Sequence, residues 1–110
     1  MPTASAPREW RSAAYLGNKR YRFRLYVVGG HVGSERAEPD LRQVLDACLA
    51  GRYDLDVVNL QARPDLAEKD NVIAAPTVIR LAPAPVRRAI GALDDPLAVA
   101  AALLLPSPDR

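Results

Sequence analysis

The order of apolar runs, turns and prolines in this chain predicts one α/β domain, βαβαββα, with a mixed four-stranded sheet and flanking helices. Three observations carry that prediction. A strand-like run from Tyr21 to Val28 is followed by a helical stripe and then a second run, Tyr53 to Leu60, which is the pattern of a parallel βαβ unit. The dipeptide Ala75-Pro76 leads directly into the β-branched run Thr77-Val78-Ile79, which puts a proline at the start of a strand, where its missing N–H does least harm to a ladder. The link Ala82-Pro83-Ala84-Pro85 is so short that the following run, Val86 to Ile90, must return antiparallel.

Bulk numbers bound the rest. A chain of 110 residues fits one domain. Hydrophobic residues make up 49% and aromatics only 5%, so the core must be aliphatic. Fifteen basic against 13 acidic residues leave a net charge of +2, too balanced for the concentrated basic stripe that nucleic acid requires. One cysteine and one histidine, His31, exclude an intrachain disulfide, a thiolate cluster and a multi-histidine metal site. No apolar run approaches the roughly 20 residues of a membrane span, and the first 20 residues lack an apolar signal core. The expectation is a cytoplasmic protein with no cofactor, no metal, no nucleic-acid partner and no membrane.

Residues 1–20, rich in Ala, Ser, Pro and Arg, read as a flexible arm. Trp10, Tyr15 and Leu16 in it are tail residues or pack loosely on the body, or else they form a docking segment or short helix for a partner or a sister chain. In Tyr21 to Val28, Tyr21, Phe23 and Leu25 alternate with Arg22 and Arg24 before the run turns wholly apolar, which predicts a strand buried on both faces at its far end. Gly29-Gly30 ends it, and His31 to Ala37 reads as a polar loop. Pro39 then suits a first helical turn, and Leu41, Val44, Leu45, Cys48 and Leu49 form a helical stripe that Gly51 stops. Pro64 to Asp70 is a short helical turn. Val72 to Leu81 holds the third strand, with Pro76 a candidate for a cis peptide. Gly91 closes the fourth strand. Asp94-Asp95-Pro96 offers a cap and a proline for a helix over Leu97 to Leu105. Residues 106–110 are a tail, leaving 21–105 as the domain.

This order is that of thioredoxin-like folds, but the chemistry of a thioredoxin is missing. Two cysteines spaced C-x-x-C would open the first helix, where its N-terminus lowers the thiol pKa. The matching stretch here is Gly29-Gly30-His31-Val32-Gly33-Ser34. Cys48 lies on the apolar stripe and reads as a core residue. His31 and Ser34 lack a third, orienting group, and the glycines lack the Gly-Lys-Ser/Thr ending of a P-loop. Gly29 and Gly91 read as turn glycines with open backbone angles.

Five pieces of the chain resemble the KaiB family. They are Leu25-Tyr26-Val27-Val28-Gly29 and Gly51-Arg52-Tyr53, Pro64-Asp65-Leu66-Ala67 with Asp70, Ala74-Ala75-Pro76-Thr77-Val78, and Pro83-Ala84-Pro85-Val86-Arg87-Arg88 running into Ile90-Gly91. The resemblance implies a non-enzyme that binds the N-terminal ring of a KaiC-like ATPase and acts by contact. It implies a thioredoxin-like binding state, an alternative fold whose C-terminal half has another strand and helix order, and a homo-oligomer, the tetramer of that alternative fold. It also implies a competing thioredoxin-like sensor domain on a histidine kinase. The chain departs from the clock pattern in its longer arm, its lack of an acidic tail and its Ala100-Ala101-Ala102 run, where Ala in place of Gly favours helix by roughly 1 kcal/mol per site. The expectation is a chain resting mainly in the thioredoxin-like state.

Within that reading, Arg80, Arg87 and Arg88 are either surface charge or forks for a partner's carboxylates, with Arg87 and Arg88 on opposite sheet faces. Asp54 and Asp56 share one strand face, either guarding an edge or docking a partner. The function expected is an adaptor for a KaiC-like ATPase. The alternative is a sensor module in a histidine-kinase pathway. A glutathione-dependent transferase would need a thiol-binding pocket beside Pro76.

Overall fold

The computed structural model of the protein describes residues 20–30, 32–91 and 93–106, with the backbone alone for Val32 and Gly33. The arm with Trp10, Tyr15 and Leu16, His31, and all of the tail except Pro106 therefore lie outside the described residues. The elements are β1 (Tyr21–Val27), α1 (Val32–Leu49), β2 (Tyr53–Asn59), α2 (Pro64–Lys69), β3 (Thr77–Ala82), β4 (Arg87–Ile90) and α3 (Pro96–Ala102). This is the expected βαβαββα order.

The sheet runs β2-β1-β3-β4. β1 pairs parallel with β2, from Tyr21 opposite Tyr53 to Val27 opposite Asn59, and antiparallel with β3. β3 pairs antiparallel with β4 across the proline link. β1 and β3 are thus central, and β2 and β4 are the edges.

Alternation splits the strand residues between two cores. Phe23, Leu25 and Val78 face α1 and α3 and pack with Leu41, Leu45, Leu49, Val99 and Leu103. Tyr26, Val58 and Ile79 point the other way, onto Ala67 and Val72 of the α2 segment. Both ends of β1 follow the sequence pattern: Arg22 is exposed, and Tyr26 is buried on the second face.

The helix α1 corrects the sequence reading. His31 to Ala37 was expected as a loop with Pro39 in the first turn, yet α1 already begins at Val32 and carries Pro39 inside it. Ser34, Ala37 and Leu41 extend the buried stripe upward at three- and four-residue steps. Pro39 sits on the exposed side, where its missing N–H deprives only the Glu35 carbonyl of a helical partner. The helix ends as expected, with Gly51 at φ +83° and the Arg52 N–H donating to the Leu49 carbonyl at 2.9 Å.

The other ends are chemically explicit. Pro64 opens α2. The Asp95 carboxylate accepts the Ala98 N–H at 3.3 Å, with Pro96 in the first turn of α3. α3 stops at Ala102, short of the expected Leu105, as Leu104 takes φ +53°. Pro76 is cis, as expected, and so are Pro83 and Pro85. Among the described residues no helix is long and apolar enough to cross a membrane.

Candidate functional site

The two sides of the sheet are covered unequally. α1 and α3 pack on one side, and only the six residues of α2 pack on the other. The α2 side therefore keeps polar groups on its strands, and they assemble around Asp70, the residue that ends α2. Its Oδ2 accepts the Tyr26 hydroxyl at 2.5 Å and Arg24 Nη1 at 3.2 Å. Arg24 also donates through Nε to Asp56 at 3.3 Å, across the parallel register that sets Arg24 beside Asp56. From β4, Arg88 reaches the Asp70 carbonyl at 2.7 Å and the Asn71 carbonyl at 3.3 Å. At the far end of the same face Arg20 grips Asp54 through both carboxylate oxygens, at 2.9 and 2.8 Å, and the Tyr53 carbonyl at 3.2 Å.

These contacts set the protonation states. Burial acts to raise the Asp70 carboxyl, but the Tyr26 hydroxyl and the Arg24 guanidinium outweigh it and hold the group below its ordinary value. Burial, then the bond to Asp70, pushes the Tyr26 phenol up to about 12. The hydrogen bonds from Arg20 hold Asp54 below the usual carboxylate range. The network is a closed set of charges fastening β1, β2, β4 and the end of α2 together.

Beside it lies exposed apolar surface. Ile73, in the loop after α2, is 94% exposed, and Ile90 on β4 and Val86 in the proline link are exposed as well. Arg88 ties the α2 end to β4 beneath this surface.

The residues singled out in the sequence separate on inspection. Asp54 and Asp56 lie on edge strand β2, exposed at their tips and each in an ion pair. Arg87 and Arg88 point to opposite faces: Arg87 Nε donates to the Ala102 carbonyl at 3.2 Å, and Arg88 goes to the α2 side. Arg80 requires a correction. It is 5% exposed, so this fold does not present it to a partner as a surface fork. Its guanidinium lies 4.9 Å from the centre of the Tyr21 ring and donates to the carbonyls of Pro83, Leu103 and Leu104, each at 2.9 Å. A positive charge against the carbonyl end of α3 also meets the favourable end of the helix dipole. Gly91 has φ +96° and donates its N–H to the Pro76 carbonyl at 2.9 Å, whereas Gly29 needs no left-handed angle and the turn strain falls on Gly30 at φ +87°.

Sequence reasoning missed the centre of the network. Asp70 entered only as the end of a helical turn and as part of a resemblance, and Arg24 only as the polar half of an alternation. The pairing of Arg24 with Asp56 follows from parallel register, which the βαβ pattern alone leaves free by one or two residues.

Where a thioredoxin-like fold would carry reactive sulfur, this chain carries Ser34, buried, its Oγ accepting the Val28 N–H at 3.0 Å. The single cysteine, Cys48, is buried on α1, and that burial pushes its thiol up. Among the described residues no three His, Cys, Asp or Glu side chains gather as metal ligands.

A KaiB domain model matches residues 24–104. The circadian clock oscillator protein KaiB of Synechococcus sp. strain RCC307 is 43% identical over 77 residues, 70% of this chain and 70% of that protein. The protein of the same name from Prochlorococcus marinus strain MIT 9312 is also 43% identical over 77 residues, 70% of this chain and 73% of its own length. Among solved structures, the N-terminal domain of Synechococcus elongatus SasA superposes with a TM-score of 0.63 at 19% identity, covering 92% of this chain and 84% of that one. Mitochondrial thioredoxin 3 of Saccharomyces cerevisiae gives 0.62 at 15% identity, covering 86% and 88%. These two likenesses establish a thioredoxin-like fold.

Proposed function

The chain belongs to the KaiB family of circadian clock proteins, and from that premise we propose that it is a non-catalytic adaptor that binds a KaiC-type ATPase and changes that protein's activity or phosphorylation state in a timing or stress-response system. The observation that carries the reading is the match across residues 24–104, which takes in every element of the sheet from within β1 onward. The lack of a thiol at the head of α1 supports it, because the frame then offers surfaces rather than a reactive group. Within this reading the protein works in the cytoplasm.

The docking surface assigned here is the α2 side. Exposed Ile73 and Ile90 supply apolar contact. Arg88 and the carboxylates Asp54 and Asp56 supply a charged rim, the arrangement common to protein interfaces. Arg87 lies over the α3 end and serves as a control position outside this surface. A histidine-kinase sensor role has a weaker basis, since the likeness to SasA is one of fold at 19% identity against 43% to KaiB proteins.

The test is size-exclusion mixing with the KaiC-like protein of the same source, with ATP and with ADP. Co-migration in at least one nucleotide state is expected. Absence of a complex in both, with both proteins folded, contradicts the proposal.

A further inference from the structure

The α1/α3 side carries a groove of about 300 Å3 that the docking reading leaves unused. Val44, Ala47 and Cys48 of α1 line one wall, and Pro96, Leu97 and Ala100 of α3 line the other. Leu97 stands 82% exposed, on a short helix that buries Val99 in the core. We propose that this groove seats the N-terminal segment of the same chain, with Trp10 as the side chain it takes.

Four observations converge on that occupant. The segment before Arg20 carries the chain's one tryptophan, together with Tyr15 and Leu16, in a protein whose aromatic content is only 5%. An indole fills a depression of this size and gains the large apolar burial that aromatic anchors supply. The tether starts in the right place: Arg20 and Tyr21 enter the sheet beside the end of α1, where the Tyr21 N–H donates to the Arg52 carbonyl at 3.0 Å. Cys48 lies in the last turn of α1, which ends at Leu49, three residues before Arg52, and the residues between Trp10 and Arg20 span up to about 30 Å, so the ring reaches the groove with slack. Charge agrees as well. Arg8, Arg11 and Lys19 outnumber Glu9 in the segment. Asp40 lies on the groove-lining stripe one turn before Val44, and Asp94 and Asp95 immediately precede Pro96.

Trp10 reports on its own seat, because no other indole contributes to the fluorescence. In the full chain its emission is expected to the blue of free N-acetyltryptophanamide, with acrylamide quenching about threefold weaker, as for a ring shielded on one face. Leu97→Asp and Ala47→Glu alter exposed positions, and circular-dichroism melting checks that both variants stay folded. Both are expected to return emission and quenching to the free-indole values, and added salt to move the wild type part of the way. Independently, Trp10→Ala is expected to shift the amide resonances of Ala47, Cys48, Leu97 and Ala100 while leaving those of β4 in place. A fully quenchable Trp10 in the wild type overturns the proposal. So does shielding that survives both groove variants. Shielding that vanishes on dilution together with a fall in mass also overturns it, since the groove would then hold a second copy.

Discussion

On the α1/α3 side of the sheet, Phe23, Leu25 and Val78 are sealed by two helices, and Arg80 is buried there with its Nε and Nη1 donors on backbone carbonyls. On the α2 side a helix of six residues leaves Arg24, Asp56, Asp70 and Arg88 to satisfy one another, with Ile73 and Ile90 exposed beside them. The difference is one of coverage. Two helices supply enough apolar surface to make a core. One short helix does not, so the face is held by paired charges. Arg80 and Arg87 stand opposite each other in the β3–β4 register and both reach the end of α3, yet one is inside and the other outside.

The largest effect expected from breaking this contrast is Phe23→Ala, which empties the sealed side and costs about 4 kcal/mol in urea unfolding. Arg80→Met follows at about 3 kcal/mol, because the carbonyls of Pro83, Leu103 and Leu104 lose their common donor. Arg87→Met, on the exposed partner in register, is expected to leave the melting temperature almost unchanged. Equal losses for the two arginines would remove the distinction between them.

Asp70→Asn is expected to cost about 1.5 kcal/mol near neutral pH, through its bonds to Tyr26 and Arg24. The pH dependence has a definite sign. The folded-state carboxyl lies below its ordinary value, so its contribution is complete above about pH 5 and is lost as the pH falls through the lowered value. The variant should therefore show a shallower loss of stability on acidification. Tyr26 works in the opposite direction. Its phenol is raised to about 12 from an unfolded value near 10, so it contributes below that unfolded value and the contribution fades as the pH climbs between the two. Tyr26→Phe should flatten the alkaline limb of the stability profile.

The sealed side was largely legible in the sequence, since alternation in Tyr21 to Val27 and the stripe from Leu41 to Leu49 are local signals. Its upper turn was not, because Ser34 is polar and Ala37 is too small to mark a buried helical face, and Pro39 normally argues for a helix start. The α2 side was legible only as elements. Its network joins residues as far apart as Arg24 and Asp70, and which arginine meets which carboxylate depends on register and on where a six-residue helix ends. The burial of Arg80 was hidden for the same reason: alternation gives its face but not the three carbonyls waiting there.

The smallest change to the fold is expected from Ile73→Asp, at a side chain with almost no packing to lose. Stability should hold, while affinity for a KaiC-like ATPase falls about tenfold, equivalent to about 1.4 kcal/mol of binding energy.

Hydrogen exchange on the complex with the KaiC-like ATPase tests the division of the two faces most directly. Protection is predicted along edge strand β2, the end of α2 and the Ile73 loop, with α1 and α3 exchanging as in the free protein. Protection centred on α1 and α3, with the α2 side unchanged, would contradict the account.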